Sequence, residues 1–129
     1  MSNIEFKIEV SIGEVVDKYT ILEIKRNKIM DVIKLKIIDL EFQYLKNIVF
    51  NVIKISKNDL NDLLKINIAL WDIEDLIRIK DRRSEFDEEF IELAKQVYRC
   101  NDIRFEIKNR INVSYGSRFK EVKSYEKYN

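Results

Sequence analysis

A chain of 129 residues suffices for one core, and with 46% apolar and 36% charged residues it can cover long helices with solvated faces. A net charge of +1 excludes a global field that would draw the protein onto nucleic acid or an anionic membrane. The lack of histidine and the single cysteine, Cys100, exclude histidine-based triads, the common zinc sites and an intramolecular disulfide framework.

The chain has no proline and only two glycines, Gly13 and Gly116, so a fold of many tight turns is disfavoured and a few long helices are expected. Residues 4–10 alternate strictly, with Ile4, Phe6, Ile8 and Val10 apolar between charged neighbours, the pattern of a half-buried strand. A lone strand needs a partner for its backbone groups, which points to the C-terminal tail around Arg118–Lys123 or to the same strand of a second copy. Ser11-Ile12-Gly13-Glu14 reads as a capping box in which Glu14 reaches back to the cap, opening a helix over 12–29. A break near Met30–Lys34, with Asp31 as the next cap, starts a helix over 32–53 along Ile38, Phe42, Leu45, Val49 and Val52; one long kinked helix over 12–53 is the alternative.

Ser56 opens a third helix over 57–80, where Leu63, Ile66, Leu70, Ile73 and Ile77 form a coiled-coil-like seam. Ser84-Glu85-Phe86-Asp87 caps a fourth over 86–114, with Phe90, Leu93, Val97, Cys100, Ile107 and Ile111 as its seam, and Gly116 is the expected stop. The predicted fold is mainly all-α: an antiparallel bundle of three to four long helices with one short N-terminal strand, in a single domain over 1–129 ending in a basic, aromatic tail, 117–129.

Beside its seam the third helix carries a ridge of Asn67, Trp71, Glu74 and Arg78. The fourth carries Asn101, Arg104 or Phe105, Lys108 and Asn112. If the two helices lie side by side, these edges form a polar cleft that suits a small anion such as a nucleotide, sugar phosphate or carboxylate. Arg and Lys would supply charge and donors, Trp71 a stacking face and Glu74 an acid or base. The plainer reading makes Glu74 and Arg78 a surface pair contributing ~0.3–0.5 kcal/mol and Trp71 a core residue.

The acidic run Glu88–Glu92 lacks the second Glu-x-x-Asp pair that a helical magnesium site requires, so no cofactor or metal is expected. Cys100, with no imidazole to activate it, reads as a buried structural thiol. The tail could stack on single-stranded nucleic acid through Tyr115, Phe119, Tyr125 and Tyr128, but Glu121 and Glu126 favour packing, and nucleic acid is ranked last among partners.

No apolar run approaches the ~18 residues of a membrane span. The N-terminal MSNIEFKIEV is not built as a secretion signal, so a cytoplasmic setting is expected, in a bacterium or a virus-infected host.

Three stretches, Ser11–Lys25, Ala69–Arg78 and Phe90–Arg104 with its continuation to Lys108 and Ile111-Asn112, together resemble an uncharacterised family of small bacterial proteins, a domain of unknown function. The resemblance covers about residues 8–125 and includes Gly116 and the Glu-x-Lys-Ser-Tyr ending at Tyr125. The family usually has Asn where this chain has Lys36. The resemblance implies no activity. It places motif residues on Asp17, Lys18, Glu23, Lys25, Trp71, Glu74, Arg78, Arg99, Asn101, Asp102, Arg104, Lys108 and Asn112, a set rich enough in charge to suggest a shared polar cleft. The first functional expectation is a non-catalytic binding or assembly module that self-associates as a homo-oligomer. The second is an enzyme or sensor for a small anion.

Overall fold

The computed structural model describes residues 3–123. Four helices follow in chain order: α1 (Ile12–Lys28), α2 (Val32–Asn47), α3 (Lys57–Arg82) and α4 (Glu88–Ser114). A π-helical segment, Ile48–Ile53, continues α2. Each helix begins at a short polar side chain in extended backbone. Ser11, Asp31, Ser56 and Asp87 accept the amides of Glu14, Lys34, Asp59 and Phe90 at 3.1, 3.0, 3.2 and 2.9 Å. Such side chains serve amides that no intrahelical carbonyl can reach.

The fourth cap is Asp87, not Ser84. Ser84 lies in the left-handed region at φ 55°, and its amide and that of Glu85 bond back to Asp81 and Lys80. It therefore closes α3 instead of opening α4. The Lys80 ammonium sits among Glu85, Asp87 and Glu89 at 3.3, 2.9 and 3.1 Å, tying the end of one helix to the start of the next. These carboxylates hold Lys80 well above the ordinary lysine range, the hydrogen bond to Asp87 being the main cause.

Hydrogen bonds and ion pairs fix the directions. Asp59 and Asp62 of α3 meet Arg110 near the end of α4, while Lys80 meets the start of α4, so α3 and α4 are antiparallel. Gly13, Glu14 and Asp17 of α1 meet Asn112, Lys108 and Arg104 in turn, so α1 is antiparallel to α4. Two apolar clusters lie on adjoining faces of α1. Tyr19 and Leu22 pack on Phe42, Leu45 and Val49, and Val16 packs on Leu63, Ile107 and Ile111. Leu60 and Ile55 touch both. The π segment widens the helix at the end of α2; Val49 stays in the first cluster while Ile53 reaches the second.

Among the described elements, α2 packs on α1 and the π segment alone. The distal half of the α3–α4 hairpin also lacks a third layer. Phe90, Leu93, Val97 and Cys100 are half-buried, and none of residues 74–106 is fully buried. Burial nonetheless pushes the Cys100 thiol above its ordinary value.

The expected N-terminal strand is not formed; there is no strand among the described residues. Ile4, Phe6 and Ile8 are 77%, 87% and 82% exposed. Alternation supplies one apolar face but no backbone partner, and the tail meets this segment through the Arg118–Glu9 ion pair at 3.2 Å, with no backbone hydrogen bond between their described residues. Tyr125, Glu126 and Tyr128 lie outside the described residues.

Candidate functional site

The site begins with a close approach. A Cβ on Gly13 would stand 2.6 Å from the Lys108 carbonyl oxygen and 2.9 Å from Asn112 Oδ1, so only glycine lets the first turn of α1 lie against the α4 backbone. Two amides of that turn, which a helix cannot satisfy itself, are met from outside. Gly13 N–H donates to Asn112 Oδ1 at 2.6 Å, and Ile12 N–H donates to Ser117 Oγ at 2.9 Å. Ser117 Oγ in turn donates to the Phe119 carbonyl at 2.8 Å, which holds the start of the tail beside α1.

In the same turn, Glu14 does not reach back to its cap as the Ser-x-x-Glu pattern suggests. Its carboxylate takes the Lys108 ammonium at 2.7 Å. The stronger pull of a nearly buried cation decides the rotamer, since Lys108 keeps 8% of its side chain exposed. Lys108 also donates to Glu121 of the tail at 3.2 Å.

Asp17 follows, 1% exposed, and accepts two hydrogen bonds from the Arg104 guanidinium, one from Nε at 2.8 Å and one from Nη2. Asn67 Nδ2 donates to Asp17 at 2.9 Å and to Thr20 Oγ1 at 2.8 Å, while Thr20 donates to the Asp17 carbonyl at 2.7 Å. A buried carboxylate is tolerable only when paired and hydrogen-bonded, and this one is both. Among the described residues no buried side-chain polar atom lacks a partner. The Asp17 hydrogen bonds raise Arg104 above its ordinary value despite its partial burial.

In front of this pair lies a cleft of about 760 Å³, lined by Tyr98, Asn101, Asp102, Arg104, Phe105, Lys108, Glu121 and Lys123. The α4 residues recur every three or four positions and so share one face, and the tail supplies the other wall. Lys123 lies 5.5 Å from the Phe105 ring centroid and 2.8 Å from Glu121. The bonds from Lys123, first, and Lys108 hold the Glu121 carboxyl below the usual glutamate range.

Of the residues singled out from sequence, Asn101, Asp102, Arg104 and Lys108 line this cleft. Asp17 stands behind it, and Asn112 anchors the helix crossing beneath. The others lie elsewhere. Lys18 pairs with Glu41 of α2 at 2.9 Å on an open surface. Glu74 and Arg78 are exposed and 3.8 Å apart, with Asp75 4.0 Å from the same guanidinium. Trp71 is half-buried on α3.

α3 and α4 do lie side by side, yet Trp71, Glu74 and Arg78 do not enter the lining. Asn67 heads their ridge where α1 crosses and turns inward to Asp17. The rest of the ridge runs out along the uncovered hairpin. Sequence reasoning passed over Gly13 as a contact, Thr20, Tyr98, and the pairing of Glu121 and Lys123 with the cleft. Only the i, i+3, i+4, i+7 spacing of Tyr98, Asn101, Asp102 and Phe105 was available as a signal.

A scan of protein families matches residues 6–128 to the family of unknown function DUF6165. The chain belongs to this family. No curated protein matches it, and no solved structure does. No helix among the described residues is long and apolar enough to cross a membrane, and no group of three or more acids or cysteine among them is placed to hold a metal ion.

Proposed function

We propose that the protein is a non-catalytic binding module whose α4 cleft takes a small anion bearing a flat or apolar portion. The observation that carries this reading is the state of the cleft's cations. Arg104 spends two of its five N–H groups on Asp17 and lines the cleft with the remainder of its guanidinium. Glu121, a carboxylate from the tail, meets both Lys123 and Lys108, the latter shared with Glu14. A ligand carboxylate or phosphate that displaces Glu121 takes its place on Lys123 and shares Lys108 with Glu14, while Phe105 and Tyr98 line the cleft beside the rest of the molecule. Glu121 is thus an internal competitor for the anion seat.

Binding is favoured over proton transfer because the perturbed groups here move the wrong way for acid–base work. Arg104 is pushed up and Glu121 down, so each is fixed more firmly in its charged form, whereas a catalytic acid or base is tuned toward the working pH.

Thermal-shift and calorimetric titrations with adenosine monophosphate, pyrophosphate and citrate test the proposal. A ligand at 100 times its Kd adds ~2.7 kcal/mol of stability. Glu121→Gln should tighten binding and Lys123→Ala should weaken it, with Phe105→Ala selectively weakening adenosine monophosphate. Failure of all three probes to bind, or binding indifferent to these substitutions, overturns the reading.

A further inference from the structure

α2 is apolar on two faces. Ile38, Phe42 and Leu45, followed by Val49 of the π segment, lie in the cluster with α1. On the far side run Ile33, Ile37, Leu40 and Tyr44, spaced four, three and four, and 74%, 68%, 79% and 70% exposed. Isolated exposed apolar residues are ordinary. A continuous row at seam spacing, on a helix that no other described element covers on that side, has the form of one half of a helix pair.

The charges beside the row identify that member. Along one edge stand Lys34, near the start of α2, and Glu41, two turns later. A copy laid antiparallel about a two-fold axis brings Lys34 of each chain beside Glu41 of the other. It also stacks Ile37 on Leu40 and Ile33 on Tyr44 in symmetric layers. The pattern is self-complementary, as an isologous interface must be. Glu41 meets Lys18 through one carboxylate oxygen and is half-exposed, which leaves its second oxygen for Lys34.

We propose that two copies of this chain associate through α2, antiparallel, on the side of α1 away from the α4 cleft and independently of any ligand there. Light scattering at tens of micromolar should give twice the 15.6 kDa chain mass. Leu40→Glu, at a position whose exposure spares the fold, should give the single-chain mass with an unchanged circular dichroism spectrum. A monomeric wild type overturns the proposal. So does a dimer that survives Leu40→Glu, as one joined through the exposed residues 4–10 would.

Orientation is read by cross-linking in a Cys100→Ser background. An inter-chain disulfide should form when Ile33→Cys and Tyr44→Cys chains are mixed, and not with Ile33→Cys alone. The reverse result overturns the antiparallel arrangement.

Discussion

Replacing Arg104 by methionine tests the part of the fold on which the cleft is built. The Asp17 carboxylate is 1% exposed and has three hydrogen bonds, two from Arg104 and one from Asn67. Methionine keeps much of the packing volume but leaves Asp17 with Asn67 alone. Breaking one side of a buried pair typically costs about 3–5 kcal/mol. Arg104 keeps 27% of its side chain exposed, so water entering from the cleft can solvate part of the stranded carboxylate and puts the expectation near the low end, about 3 kcal/mol. That is a large share of the ~5–15 kcal/mol usual for a domain. With a urea slope of ~1–3 kcal/mol/M it moves the midpoint by at least about 1 M. Urea titrations followed by circular dichroism give the loss directly. Adding Asp17→Asn to Arg104→Met removes the stranded charge and should restore stability, giving a coupling well above the ~0.5 kcal/mol scatter of independent sites. A loss under ~1 kcal/mol for Arg104→Met, or strict additivity in the double variant, would refute the claim that this ion pair secures the crossing of α1 and α4.

Gly13→Ala should destabilise the protein by about 1–3 kcal/mol in the same assay, because the added methyl meets the α4 backbone and outweighs alanine's better helix propensity. Asn112→Ala should cost about 1–3 kcal/mol by leaving the Gly13 amide without its acceptor, and hydrogen exchange at Gly13 should accelerate selectively. Glu121 carries the pH dependence of the tail contact. Its folded pKa lies below the ordinary 4.5, so its stabilisation is complete above 4.5 and disappears as pH falls through the depressed value. The stability difference between wild type and Glu121→Gln should therefore be present at pH 7 and vanish on acidification; a difference unchanged in acid would mean that Glu121 stabilises nothing through its charge.

How much of this was legible in the sequence depended on how far apart the interacting residues lie. Ser11, Asp31 and Ser56 cap helices through amides three positions on, and a bond that local is written in four consecutive residues. Ser84 misled because a serine closing one helix and a serine opening the next look alike until the backbone turn between them is known. The N-terminal alternation misled for a deeper reason. A strand's apolar face can be read from its own residues, but its ladder needs a second backbone, and no periodicity in residues 4–10 says whether one is within reach. The α4 half of the cleft was legible because Asn101, Arg104 and Lys108 share one helix face. The α1 half was not. Asp17 drew notice through family resemblance alone, since nothing local marks an aspartate destined for 1% exposure.

α2 shows the same limit from the other side. Its line of Ile38, Phe42 and Leu45, continued by Val49 of the π segment, was readable, and it was sufficient to explain a helix packed on one neighbour. That sufficiency hid the second row, because Ile33, Ile37, Leu40 and Tyr44 fall on the opposite face of the same sixteen residues. A helix apolar on two sides, with polar residues confined to the edges between, ordinarily belongs at the middle of a bundle. Here it stands at the outside, touching α1 and the π segment alone among the described elements. Either the outer face is retained at a standing cost in solubility, or the bundle that would place α2 at its middle includes another chain. The Lys34–Glu41 edge gives a reason to prefer the second, because an arrangement that only needed to tolerate exposure would have no use for charges that answer each other across a two-fold axis.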